Sequence, residues 1–306
     1  MGEAILGTFI STAGCALDTR LWKPEGEPRG IVQLVHGMAE HIDRYDATAK
    51  RLNEAGFLVV GHNQLGHGAQ AELPGYFTEE NGWNALVDDV HALRLQTQKT
   101  LPDTPYFLLG HSMGSFIVRT YCLRYEAGLQ GVILSGTGHF DPPLVSVGLW
   151  IANLQCALGM RKKPSKLLEG ISFAGYNRDW SPVRTAFDWL SKDTAVVDRY
   201  VADPLCGFPF TASGYRDLFT GLKNLYPQNL GTMDRDVPIR LFSGASDPVG
   251  GRGTGPKTTM RELLDAGVRD VSLKLYEGGR HEMLNEVEHE VVWNDLVAWL
   301  EEQLPA

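Results

Sequence analysis

Cysteine is scarce in this 306-residue chain. Cys15, Cys122, Cys156 and Cys206 are the only four, and no two form a Cys-x-x-Cys pair. That excludes a disulfide scaffold and reads as buried thiols in a reducing compartment. Long apolar runs are lacking as well. No stretch reaches the roughly 18–20 apolar residues of a membrane span, so no crossing helix is expected. Positive charge falls short of negative: 28 Lys and Arg stand against 37 Asp and Glu, for a net charge of -9. Such a surface repels a phosphate backbone, and no nucleic-acid partner is expected. Met1 to Thr12 have neither the basic nor the apolar region of an export signal, which makes the cytoplasm the expected location. No Gly-x-Gly-x-x-Gly follows a strand pattern and no Gly-Lys-Ser/Thr occurs, so no nucleotide cofactor is expected. His281-Glu282-Met283-Leu284-Asn285 lacks the second histidine of a zinc-protease helix, and no metal site is expected.

What is present suits a large globular core. Hydrophobic residues make up 43% and charged residues 21%, and a chain of this length buries roughly three quarters of its unfolded surface. The length fits about two domains, or one large α/β domain with an insertion. Short apolar runs predict strands at Ile31–His36, Phe57–His62, Pro105–Gly110, Val132–Ser135, Ile239–Gly244 and Val271–Tyr276. Most are continuous rather than alternating, as in a parallel sheet covered on both faces. Cys15–Trp22 and the stretch before it fit an antiparallel edge. Helical stripes lie between the runs: Leu86, Val90, Leu93 and Thr97; Ile117, Tyr121 and Tyr125; Val292, Leu296, Trp299 and Leu300. The alternation predicts a doubly wound, mostly parallel α/β sheet. It lapses from His139 to Phe210, so residues 139–210 are expected to form a helical cap on a core of residues 1–138 and 211–306.

Gly110-His111-Ser112-Met113-Gly114 is the chain's only Gly-x-Ser-x-Gly. Glycine is common enough for such a match to arise by chance, so context decides. A strand pattern precedes the motif and a helical one follows, the setting of a nucleophile elbow that lifts a serine hydroxyl into the open. A serine hydroxyl is inert at neutral pH without a base, and the base needs an orienting acid. In this architecture acid and then histidine follow the serine along the chain, each after a strand. Asp247 follows Ile239–Phe242, and His281 follows the last strand. Asp265 and Asp270 are poorer acids because they precede that strand, and His289 is a poorer base because it falls in a helical pattern. Met113 N–H and Met38 N–H are the expected oxyanion donors, from the elbow and from the loop after an early strand. His36 in that loop suits a hydrogen-bonded structural role.

These residues resemble the monoacylglycerol lipase and lysophospholipase branch of the α/β-hydrolases, a group also called serine-aminopeptidase-like. The matching stretches are His36-Gly37-Met38-Ala39-Glu40-His41 with Arg44-Tyr45, Gly66-His67-Gly68, Gly110 to Gly114, Ser246-Asp247-Pro248-Val249, and His281-Glu282 with Asn285-Glu286. The resemblance implies the α/β-hydrolase fold with Ser112, Asp247 and His281 as the triad, Met38 and Met113 as oxyanion donors, and a small ester or lipid as substrate. It places Glu40 and Arg44 near a polar head group; an ion pair bracing the oxyanion loop is the other role open to them. Two positions depart from the pattern. Asn63 stands where Asp is usual, and Leu284 replaces a histidine that some monoglyceride lipases hold near glycerol. An amidase or aminopeptidase on the same triad, or a non-catalytic ligand-binding protein of this fold, are the alternatives.

His111 inside the elbow, with Ile151 and Leu154 on a stripe that also holds Leu144, Val147 and Leu158, are further candidate substrate contacts. Arg161, Lys162, Lys163 and Lys166 follow that stripe. An apolar helix with a basic end suits transient contact with a lipid surface as well as burial against the core.

Overall fold

The computed structural model describes residues 3–125 and 128–305. Eight strands form one sheet: β1 (Ile5–Ile10), β2 (Ala16–Trp22), β3 (Gly30–Val35), β4 (Phe57–His62), β5 (Tyr106–His111), β6 (Gly131–Ser135), β7 (Ile239–Gly244) and β8 (Val271–Tyr276). Their order is β1-β2-β4-β3-β5-β6-β7-β8. The antiparallel pairs are β1–β2 and β2–β4; the rest of the sheet is parallel. The expected strands are all present, and the antiparallel edge is where the sequence placed it.

The continuous apolar runs have a direct cause. Successive side chains in a strand point to opposite faces, and both faces here are covered. Ile31 and Val35 enter one core while Val32 and Leu34 enter the other; Tyr106 and Leu108 oppose Phe107 and Leu109 in the same way. Burying each such side chain is worth about 1.5–3 kcal/mol, so either face exposed would be costly. Helices α1 (Asp46–Glu54) and α9 (His289–Glu302) cover one face. On the other lie α2 (Gly82–Gln98) and α3 (Met113–Arg124), joined by α7 (Ala212–Asn224) and α8 (Thr254–Asp265). The one polar side chain within β3, Gln33, is satisfied: its amide donates to Val90 O and its carbonyl accepts from Tyr106 O–H.

Between β6 and β7 the chain adds α4 (Pro142–Gln155), α5 (Lys166–Ser172) and α6 (Thr194–Ala202) before α7. Helix α4 continues through a π-turn at Cys156–Met160. This corrects one expectation. The combined Pro142–Met160 stretch has 19 residues and a mean hydropathy of 1.4, the length and composition of a membrane-crossing helix, with 17% of its apolar window buried. Ser146, Asn153 and Gln155 interrupt the run without bringing its mean below that level. In the glycine-rich run 250–255, Thr254 and Gly255 belong to α8 and the residues before them form a turn.

Candidate active site

Loops at the carboxyl ends of β3, β5, β7 and β8 converge on one cavity. At the elbow, Ser112 is the residue before α3 and has φ 52° and ψ -120°, a strained conformation for a side chain with Cβ. The flanking glycines serve close approach. A Cβ on Gly110 would lie 2.4 Å from Gly114 O, and one on Gly114 would lie 2.0 Å from Val35 O. Gly114→Ala must therefore push β3 and α3 apart. The expected cost is about 1–3 kcal/mol or more, as overpacking brings elsewhere; a melting midpoint equal to the parent's would contradict the contact.

Asp247 is fully buried. Its Oδ2 accepts from His281 Nδ1 at 3.0 Å and from Ser243 Oγ at 3.2 Å, while Oδ1 accepts from Val249 N at 2.9 Å. Burial alone would lower the His281 pKa, but the charge and hydrogen bond of Asp247, helped by Glu282 and Glu40, outweigh it and raise the value above 6.5. Ser112 and His281 line the same cavity, and the Ser112 hydroxyl makes no hydrogen bond among the described residues. His111 also lines it. Its Nδ1 pairs with Ser135 Oγ at 3.0 Å, and burial together with the neighbouring His281 pushes its pKa down to about 4, so it stays neutral near pH 7. Asp265 and Asp270 are exposed, away from this buried pair. His289 lies at the start of α9, its Nδ1 2.6 Å from Glu286 O.

The loop after β3 is braced on every side of Met38. Gly37 N donates to Glu40 Oε1 at 2.6 Å, and Ala39 N donates to His67 Nε2 at 3.2 Å. Ala39 O accepts from Tyr200 O–H and from Gly207 N, both at 2.9 Å. Among the described residues the N–H groups of Met38 and Met113 have no protein acceptor, and both residues line the cavity. Met113 is the first residue of α3, where a free N–H is the rule. His36 is a satisfied structural histidine: its Nδ1 donates to Gly37 O at 2.8 Å and its Nε2 accepts from Gln64 N at 2.8 Å. Asn63, at the first departure, accepts from Ile42 N through Oδ1 at 2.9 Å.

Glu40 and Arg44 form the loop ion pair. Arg44 Nη1 donates to Glu40 Oε2 at 2.5 Å, and the guanidinium grips Glu282 through two bonds of 2.7 and 2.6 Å. Tyr45 O–H donates to Glu40 Oε1 at 2.8 Å, and Arg44 also stacks 4.8 Å from the Tyr200 ring centroid. Glu40 lines the cavity; Arg44 lies behind it. Glu282, beside His281, thus shares one guanidinium with the loop after β3. Sequence reasoning misses His67, Tyr200 and Glu282 as braces of this loop. Only His67 leaves a local signal, the His-Gly turn after β4.

The cavity encloses about 980 Å³, the upper end of the ~300–1,000 Å³ range of small-molecule sites. Leu144, Val147 and Ile151 of α4 line it. Leu154, expected beside Ile151, does not: it is 45% exposed and lies off the lining, as does Leu158 at 69%. The stripe twists past the cavity because α4 outruns it by a full turn. Leu284, the second departure, is buried and lies off the lining. His41, Asp203 and Cys206 bring metal-ligating atom types within 4.8 Å of one another. His41 Nε2 and Asp203 Oδ2 already pair with each other at 2.8 Å, tying the loop after β3 to the loop after α6.

Residues 26–288 match the family described as serine aminopeptidase, S33. The chain is 30% identical over 297 residues to a monoacylglycerol lipase of Mycolicibacterium smegmatis, covering 96% of this chain and 95% of that one. It is 31% identical over 292 residues to a monoglyceride lipase of Mus musculus, covering 92% and 88%. A crystal structure of a thermostable carboxyl esterase from Bacillus coagulans, in complex with glycerol, superposes over the full length of both chains with a TM-score of 0.93 and 28% identity. The chain belongs to the serine aminopeptidase, S33, family of α/β-hydrolases, on the branch where monoacylglycerol lipases are found.

Proposed function

We propose that this chain is a serine hydrolase that cleaves single-chain carboxylic esters, monoacylglycerols and lysophospholipids among them, through an acyl-enzyme. The observation that carries this is the strained Ser112 hydroxyl opening into an apolar cavity beside the buried Asp247–His281 pair. His281 takes the Ser112 proton as Oγ attacks the ester carbonyl. Asp247 fixes the tautomer that leaves Nε2 free to accept. The free N–H groups of Met38 and Met113 receive the negative charge that develops on the carbonyl oxygen. His281 then returns its proton to the departing alcohol, and water repeats the sequence on the acyl-enzyme. Relatives named monoacylglycerol lipase and carboxyl esterase support the ester as substrate. Against an aminopeptidase stands the spending of Glu40 and Glu282 on Arg44, which leaves an α-ammonium group no carboxylate partner there. Turnover of acylglycerol, lysophospholipid and p-nitrophenyl esters, measured beside aminoacyl anilides, tests the proposal. Anilides cleaved faster than every ester would overturn it.

Base catalysis sets the pH profile. Only neutral His281 accepts the serine proton, so kcat/KM should be low in acid and rise with pH through an apparent pKa above 6.5, the direction set by Asp247. A flat profile from pH 5 to 9 would contradict this.

Residues 139–210 act as a cap over the core of residues 1–138 and 211–306. Each CH₂ of the acyl chain buried against Leu144, Val147 and Ile151 contributes at best about 0.8 kcal/mol, so efficiency should climb with chain length until the cavity is full. Ile151→Asp should depress long-chain esters far more than acetates, and Leu154→Asp should not discriminate. A proportional loss on all chain lengths for Ile151→Asp would make α4 a prop rather than a wall. Leu154, Leu158 and Trp150, all exposed, present an apolar face next to Arg161 and Lys162, suited to transient contact with a lipid surface.

A further inference from the structure

In the acyl-transfer chemistry proposed above, the alcohol half of the ester has a fixed address. His281 must hand its proton to the leaving oxygen, so the alcohol lies on the cavity side of the imidazole. Trp189 flanks that imidazole, the two ring centroids 5.1 Å apart, and Tyr176 meets Trp189 edge-on at 5.1 Å. Phe173 stands edge-on to Tyr176 at 5.5 Å. All of these side chains line the cavity. The wall is fastened to the histidine loop: Trp189 O accepts from His281 N at 3.4 Å, and Leu190 O accepts from Glu282 N at 2.8 Å. Tyr176, on the segment between α5 and α6, is packed into a set position relative to His281.

Two tyrosines line the cavity. Tyr200 gives its O–H to Ala39 O at 2.9 Å, whereas the Tyr176 O–H has no hydrogen-bond partner among the described residues. Burial, with the charge of Asp247 added, pushes the Tyr176 pKa up, so the hydroxyl keeps its proton and can both donate and accept. Val249, whose N–H holds Asp247 Oδ1, belongs to the same apolar cluster as Tyr176 and Trp189. The free hydroxyl thus stands at the Asp247–His281 end of the cavity. The carboxylates at that end are engaged. Glu40 takes Gly37 N, Tyr45 O–H and Arg44, and Glu282 takes two bonds from Arg44 and one from Asn285 Nδ2 at 3.2 Å. A hydroxyl on the alcohol half can bond Tyr176 without displacing any bond that holds the loop after β3.

We infer that the Tyr176 hydroxyl is a specificity group for the alcohol half of the ester, bonding a free hydroxyl of glycerol and so favouring glyceryl esters over esters of plain alkanols. The inference rests on the Ser112–His281 mechanism. It is tested with two octanoyl esters of three-carbon alcohols, 1-monooctanoylglycerol and propyl octanoate, on the parent and on Tyr176→Phe. The substitution removes one oxygen that bonds no protein group and keeps the ring contacts with Trp189 and Phe173, so the fold should hold. Leaving-group basicity and the amount of active enzyme both cancel when the glyceryl-to-propyl ratio of kcat/KM is compared between the two proteins. That ratio should fall about threefold to tenfold in Tyr176→Phe, the worth of one neutral hydrogen bond. An unchanged ratio, whether both esters slow together or neither does, makes Tyr176 a structural ring and overturns the assignment. A parent that cleaves the propyl ester and spares the glyceryl one overturns it as well. Both results leave the hydrolase mechanism intact. Failure of both esters on the parent, together with no fluorophosphonate labelling of Ser112, overturns the mechanism and the assignment with it.

Discussion

Ser112→Ala should lower kcat by about 10⁶-fold while leaving the chain folded, as removal of a triad nucleophile does when the other members can act only through it. The fold should survive because the Ser112 hydroxyl makes no hydrogen bond among the described residues. Its backbone, by contrast, is held by bonds that alanine keeps: Ser112 N donates to Ser135 O at 2.9 Å and Ser112 O accepts from Ser115 N. Residual turnover of about 10³–10⁴ over water should persist through the Met38 and Met113 amides and through binding in the cavity. Fluorophosphonate labelling, which needs the hydroxyl itself, should vanish. A variant that still labels stoichiometrically at a serine would place the nucleophile elsewhere.

Asp247→Asn should cost about 10⁴-fold in kcat with little change in the positions of the side chains. The asparagine oxygen can still accept from Val249 N. An N–H₂ group turned toward His281 Nδ1 would favour the tautomer whose Nε2 carries a proton and cannot act as base. Loss of the carboxylate charge should also lower the apparent pKa of the pH profile, because Asp247 is what offsets the burial of His281. The two readouts together separate an electrostatic role from a purely structural one. Asp265→Asn and Asp270→Asn, at exposed positions, should leave kcat/KM within about twofold of the parent, as surface substitutions usually do. A near-normal rate in Asp247→Asn would hand the acid's role to one of those two.

The parallel strands are legible because each is a continuous apolar run whose alternate residues feed two cores, as Ile31 and Val32 do. The elbow and the two loops that carry Asp247 and His281 are legible because their chemistry sits in short motifs at strand ends. The braces of the loop after β3 are not. Arg44 meets Glu282 across 238 residues, and Tyr200 meets Ala39 across 161. Pairs so far apart leave no periodicity to read. The wall of the cavity shows a related limit. A helical stripe identifies one face of α4, but how many of its turns overlie the cavity depends on where α7 packs, so Ile151 lines the cavity and Leu154 meets solvent.

The acyl-enzyme on Ser112 is tested most directly by rapid-quench mass spectrometry of the protein mixed with p-nitrophenyl octanoate. The expected result is a burst of p-nitrophenolate equal to the enzyme concentration, with an octanoyl adduct confined to the peptide that contains Ser112 and absent from Ser112→Ala. Full ester turnover with no burst and no adduct, or an adduct on any other residue, would contradict it.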